Sequence, residues 1–134
     1  MKYDPMVGPS SEEWLQIDEL ERINVIEDFH RASKVELPNE KAHAIIHAIV
    51  ENQVAMKVPG VLDALARLRA EGLDRHESVH AVGTVLAETL HALMSKQVKA
   101  VPAVTNDMYA EALKKLTVSW WRNNYGQSPK GRRR

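Results

Sequence analysis

Asp74-Arg75-His76-Glu77-Ser78-Val79-His80-Ala81-Val82-Gly83-Thr84-Val85-Leu86-Ala87-Glu88-Thr89-Leu90-His91-Ala92-Leu93 carries its own start signal and its own inner face. Asp74 can accept a backbone N–H at a helix start, and Glu77, three residues on, has the capping-box position. Val79, Val82, Leu86, Leu90 and Leu93 then recur at the three- and four-residue spacing that gathers side chains on one side of a helix. A helix with such a stripe needs apolar partners, and its neighbours in the chain supply more helices.

Upstream, Gly72 has the place of a left-handed C-cap closing a short helix through Leu62, Leu65, Ala66 and Leu68. Val58-Pro59-Gly60 ends the helix before that, which Asn39 caps and which carries Ala42, Ile45, Ile46, Ile49, Val50 and Val54. Leu37-Pro38-Asn39 separates it from a first helix expected at about 11–33, opened by Ser10 with Glu13 and lined by Trp14, Leu15, Ile17, Leu20, Ile23, Ile26 and Phe29. Downstream, Val101-Pro102-Ala103-Val104 reads as an extended link. Thr105 or Asn106 would then cap a fifth helix running through Leu113, Leu116, Trp120 and Trp121. No segment alternates with the period of a strand, and no hairpin turn dipeptide occurs. The sequence therefore predicts an all-α fold, a small bundle of about five helices. Residues 1–125 form a single domain in this reading, and 126–134 a basic, disordered tail.

A chain of 134 residues can build one hydrophobic core without staples. Its 18 basic residues balance 18 acidic ones, so no broad field favours coating a nucleic acid. With no cysteine, thiolate ligation and thiol catalysis are excluded, and any metal must be held by histidine, carboxylate or amide groups. Met1 to Ser11 lacks the apolar core of a signal peptide, and no run approaches the roughly 18 apolar residues of a membrane span. A cytoplasmic location is the expectation.

The chemistry-bearing feature is histidine spacing. His43 and His47 are separated by three residues on one helix, and His76 and His80 repeat the pattern on another. At roughly 100° per residue each pair lies about 40° apart, on the side that also carries Val50 and Val54 in the first case. Glu51 continues the first stripe by another turn. Small residues, Gly83 and Ala87, follow the second pair and allow close approach of a neighbour. If consecutive helices pack antiparallel, the two histidine helices run parallel and both pairs fall at the same end, within about 3 Å along the axis. Four imidazoles then converge. An i, i+4 pair can place two ring nitrogens on one ion, and Glu51 and Glu77 are candidates for a further ligand or for a base acting on metal-bound water.

Other readings of the same residues stand beside this one. His76-Glu77-Ser78-Val79-His80 fits HExxH, in which two histidines hold zinc and the glutamate activates water, but that site belongs with a sheet and a third ligand downstream. Glu27/His30, Glu40/His43, Glu77/His80 and Glu88/His91 share the Glu-x-x-His spacing of di-iron carboxylate bundles, with Glu40, Glu77 and Glu88 toward the polar edge. Glu77 serves equally as a capping residue. The histidines could be structural, with Asn52 and Gln53 either orienting them or solvated. His30 and His91 lie on sectors less tied to the two pairs and read as structural. Trp14, Trp120 and Trp121 read as core and rim, the adjacent pair unable to share one face. The four positive charges between Lys130 and Arg134 would give weak, salt-dependent contacts with RNA or an acidic partner.

The segments His43-Ala44-Ile45-Ile46-His47-Ala48-Ile49-Val50-Glu51-Asn52-Gln53 and Arg67 through Gly83, with Gly72-Leu73-Asp74-Arg75-His76-Glu77 and His80-Ala81-Val82-Gly83 at its centre, resemble the signature of a small bacterial helical family of unknown function. Trp14 to Arg22 resembles that family's opening, so the likeness spans roughly residues 11 to 90. It implies a bacterial, cytoplasmic protein and brings no assigned activity. The C-terminal helix and basic tail have no counterpart in it.

Together these observations predict a helical metal-binding protein in which His43, His47, His76 and His80 hold a divalent transition metal, zinc or iron, with Glu51 and Glu77 as further candidates. The alternatives are a metal-free module that docks on a partner protein or pairs with a second copy through its tryptophans and amphipathic helices, and a metallohydrolase built on HExxH. Neither a membrane nor nucleic acid is an expected partner.

Overall fold

Side-chain caps set where the first helices begin. Ser10 accepts from the Glu13 N–H at 3.2 Å, Asp18 from Glu21 at 2.9 Å and Asn39 from Ala42 at 3.0 Å. Those caps open α1 (Ser11–Gln16), α2 (Glu19–Ala32) and α3 (Glu40–Ala55). They are followed by α4 (Pro59–Ala70), α5 (Arg75–Ser95), α6 (Pro102–Lys114) and α7 (Val118–Asn124). The computed structural model describes residues 1–33, 39–95 and 102–124, and among them it has seven helices and no strand. The all-α expectation holds at this level.

The count of about five helices is corrected to seven among the described residues, and local capping explains both additions. The expected first helix over 11–33 breaks at Ile17, whose backbone is extended (ψ 153°), because Asp18 starts a new helix with its own cap. The last helix is interrupted after Lys114. Arg67 donates to the carbonyls of Leu113 and Leu116 at 2.6 and 3.0 Å, and Thr117 Oγ1 accepts from the Trp120 N–H. Two prolines expected only as breaks instead start helices. Pro59 and Pro102 occupy the first positions of α4 and α6, where a missing N–H costs no helical bond. The extended link expected at residues 102–104 is thus helix. The expected break at Leu37-Pro38 and the expected disordered tail at 126–134 lie outside the described residues.

At the end of α4, Gly72 has φ +115°, its N–H bonds to Arg69 and the Leu73 N–H reaches back to the Leu68 carbonyl. This paired closure turns the chain sharply, with Leu68 and Leu73 both buried beneath it. Asp74 and Glu77 then exchange backbone bonds at the start of α5, as the sequence predicts.

Two apolar clusters flank α3. One gathers Val50 with α4, α5, α6 and α7 around Leu68, Val79, Val82, Leu113 and Leu116. The other joins Tyr3, Trp14, Val25 and Ile26 to Ala44, Ala48 and Ala55. The alanines let α1 and α2 lie close to α3. On the opposite side Gly83 permits the α3–α5 approach, since a Cβ there would stand 3.0 Å from Ile46 Cγ2. Ala87, its expected companion, is exposed. Between the two clusters lies the row His43, His47, Glu51.

The expected parallel run of α3 and α5 is not what brings the histidines together. Contacts climb α3 as they descend α5: His43 against His80, His47 against His76, Glu51 against Arg75. The pairs meet by this opposed pairing, because α4 packs mainly on α5 and α6 and does not form a simple hairpin with α3. No helix among the described residues is long and apolar enough to cross a membrane.

Candidate metal centre

Three helices deliver five imidazoles to one place. His30 stands in the last turn of α2, His43 and His47 in the first turns of α3, and His76 and His80 in the first turns of α5. One ligating nitrogen from each of His30, His47, His76 and His80 lies within 4.8 Å of the others. Nitrogens around a tetrahedral ion with bonds of about 2.0–2.1 Å sit about 3.3 Å apart, so ring rotations of about 1.5 Å would close the set. His43 lies against this group, its ring 4.6 Å from His30 and 4.8 Å from His80.

Hydrogen bonds fix which nitrogens carry protons. His30 Nδ1 faces the Ile26 carbonyl at 2.9 Å, and a carbonyl only accepts, so the proton is on Nδ1 and Nε2 keeps its lone pair. His43 Nε2, 3.2 Å from His30 Nε2, is then the donor of that contact. Tyr3 donates its hydroxyl proton to the Glu51 carboxylate and accepts from His47 Nε2–H at 2.8 Å. The His47 lone pair is therefore on Nδ1. His47 Nδ1, His76 Nε2 and His80 Nε2 are closed off from solvent and have no hydrogen-bond partner among the described residues. Each orphaned buried polar atom costs about 1–3 kcal/mol, and three together consume a large part of the roughly 5–15 kcal/mol that keeps a domain folded. A shared ligand removes that cost.

Behind the rings runs a buried ionic network. Arg75 clamps Glu51 with two bonds of 2.8 and 2.9 Å, and its guanidinium also donates to the Pro5 carbonyl at 2.9 Å. Gly8, at φ +81°, passes directly beneath that guanidinium, where any Cβ would fall 2.5 Å from it. The segment from Tyr3 to Gly8 is thereby fastened over α3 and α5. Phe29 packs edge-on against His30, His76 and Tyr3 and closes another side.

Burial shapes the charge of the site. It pushes His43 and His76 down to about 4, with His30 close to both adding to the effect, and it holds His47 and His80 well below the usual histidine value. His30 is lowered for the same reason. Burial, then the Glu51 charge, raises Tyr3, which keeps the phenol protonated. Near neutral pH the five rings are neutral, and each keeps one unprotonated nitrogen.

The six residues singled out from sequence have different placements. His47, His76 and His80 converge. His43 adjoins them as a donor to His30. Glu51 is fully buried next to the cluster, but both its oxygens are held by Arg75 and Tyr3. Glu77 is exposed and its carboxylate accepts from the Asp74 N–H at 3.0 Å, in the capping position. Asn52 binds Trp14, Arg22 and Glu19, and Gln53 accepts from Tyr109, so neither orients a histidine. His91 is exposed and apart from the group.

Sequence reasoning missed His30 and Tyr3. His30 had a usable signal: it stands four residues after Ile26, which is fully buried, so it continues the inner stripe of α2. Tyr3 had none, since it precedes the first helix in a segment without periodicity. Compared with known proteins, the chain matches no family model, no curated protein and no solved structure.

Proposed function

We propose that this is a helical metal-binding protein whose centre is formed by His30 Nε2, His47 Nδ1, His76 Nε2 and His80 Nε2. The carrying observation is that one ring nitrogen from each of these four histidines lies within 4.8 Å of the others, together with His47 Nδ1, His76 Nε2 and His80 Nε2 being buried without a hydrogen-bond partner among the described residues. Four neutral imidazoles without thiolate suit a divalent first-row transition metal, and zinc or iron is the proposed ion. The Arg75–Glu51–Tyr3 chain supports His47 from behind, as outer hydrogen bonds commonly orient histidine ligands. Membership of the bacterial family that the paired motifs resemble belongs to the same proposal and rests on those motifs alone.

The competing readings have less support. An HExxH hydrolase needs a base at Glu77, and that carboxylate is engaged at a helix start. A tryptophan docking surface loses Trp14, which is completely buried.

Elemental analysis of protein purified without a histidine tag, beside the double variant His47→Ala/His80→Ala, tests the proposal. About one metal per chain in the parent and none in the variant is the expected result. Chelation should lower the parent's Tm and leave the variant's unchanged, because an ion bound only to the folded state stabilises it by mass action. A parent that takes up no metal on titration with zinc and iron(II) would overturn it.

A further inference from the structure

Four imidazoles give a buried ion four neutral donors and no negative charge. The described carboxylates nearby are already committed. Glu51 is clamped by Arg75, Glu27 is bridged by Lys41 at 3.0 Å and Arg31 at 3.8 Å, and Asp74 and Glu77 cap α5 in solvent. A divalent ion in this setting carries its full charge into a region of low dielectric, where uncompensated charge is costly. The nitrogens of His47 Nδ1, His76 Nε2 and His80 Nε2 are closed off from solvent, while other parts of His43, His76 and His80 reach the surface and His30 and His47 are buried.

His43 adds a second, independent observation. Its Nε2–H donates to His30 Nε2 at 3.2 Å, the lone pair His30 would give to the metal. Once that lone pair is taken, the His43 proton loses its acceptor while its ring stays 4.8 Å from His80 and 5.7 Å from His47, at the mouth of the group. A donor that has lost its acceptor is stabilised by a new one, and beside a cation an anionic acceptor is the best matched.

Resting on the metal-site reading above, we infer that the centre keeps an open coordination position that takes a small inorganic anion, hydroxide in water or a substitute such as azide, with His43 Nε2–H as its hydrogen-bond donor. The anion supplies the missing negative charge, and the donor selects a ligand small enough to fit between metal and ring. Glu51, four residues after His47, is a support for His47 and does not fill that position.

The test uses full-length protein loaded with copper(II) and titrated with sodium azide, followed by absorption. Expected is a saturable azide-to-copper charge-transfer band. His43→Leu should weaken azide by about tenfold or more, beyond any loss in copper affinity, as expected for a hydrogen bond to a charged group. Stoichiometric copper with no azide band would mean a closed four-imidazole site and overturn the inference while leaving metal binding intact. An azide band unchanged by His43→Leu would overturn the assignment of His43. Absence of copper absorption before any azide is added would overturn both this inference and the metal reading.

Discussion

The Tyr3 hydroxyl stands 2.8 Å from His47 Nε2 and against the Glu51 carboxylate, so a residue ahead of the first helix decides which nitrogen of a central histidine is free. Only with its proton on Nε2 does His47 turn an unprotonated Nδ1 toward His30, His76 and His80.

Tyr3→Phe removes this relay and keeps the ring that packs on Trp14, Phe29 and His47. Metal affinity, measured by competition with a chromophoric chelator, should fall about 10–100-fold. The fold should survive with a loss of about 1–3 kcal/mol in urea unfolding. Unchanged affinity would mean that His47 is oriented without Tyr3.

Glu51→Gln leaves the Arg75 guanidinium largely buried without its counter-charge. Breaking one side of such a pair costs about 3–5 kcal/mol, far above a surface pair. Glu19→Gln, which touches the exposed end of the Arg22 pair, should cost less than about 1 kcal/mol in the same denaturant experiment. Similar values for the two would remove the ionic network from the account of stability.

Acid should unfold the metal-free protein early. The five histidines have lowered pKa values in the fold, so between the unfolded value near 6.5 and the folded values, about 4 for His43 and His76, the unfolded chain binds more protons. Their stability contribution is present above about pH 6.5 and is lost as pH falls, by up to about 1.4 kcal/mol per pH unit for each ring. Tm measured at pH 7.5, 6.5, 5.5 and 4.5 should fall modestly over the first step and steeply after it. A flat profile down to pH 4.5 would contradict neutral, buried imidazoles. Bound metal should move the drop to lower pH, since protons must displace it.

Gly83→Val tests the α3–α5 approach. Its Cβ would begin 3.0 Å from Ile46 Cγ2, and two more methyl groups would force the helices apart. Overpacking of this kind costs about 1–3 kcal/mol and should separate His47 from His80, weakening metal binding with the helical content by circular dichroism unchanged. Gly60→Val, where a Cβ meets only Leu113 at 3.8 Å, is the comparison and should leave metal binding as it was.

His30→Ala should reduce metal affinity at least as much as His80→Ala, whereas His91→Ala should leave it unchanged. Isothermal titration of the three variants with zinc decides whether His30 belongs to the ligand set, as its place in the cluster indicates.

Much of this was readable in the chain because helix starts and inner stripes are local properties. Asn39, and Asp74 with Glu77, marked α3 and α5, and their apolar spacing placed His47, His76 and His80 inward before any tertiary contact was known. The Asp18–Glu21 cap was just as local and was hidden only by the continuous apolar pattern around Ile17 and Leu20. Tertiary geometry was not legible in the same way. Parallel helices were expected from short turns, yet the opposed pairing depends on Gly83, Ile46 and the way α4 leaves α3. The state of Glu51 was equally beyond reach, because its oxygens are claimed by Arg75 and by Tyr3, residues whose partners no spacing rule connects.

The position of α3 between two apolar clusters also governs how the molecule comes apart. Val50 ties it to the α4–α7 side, while Ala44, Ala48 and Ala55 tie it to Tyr3, Trp14 and α2, and the histidines lie along the join. The α1–α2 layer is joined to the rest of the molecule chiefly through α3. An ion held, as proposed, by His30 on α2, His47 on α3 and His76 and His80 on α5 would act there as a cross-link between layers. Occupancy of the proposed centre would then couple the opening of these layers.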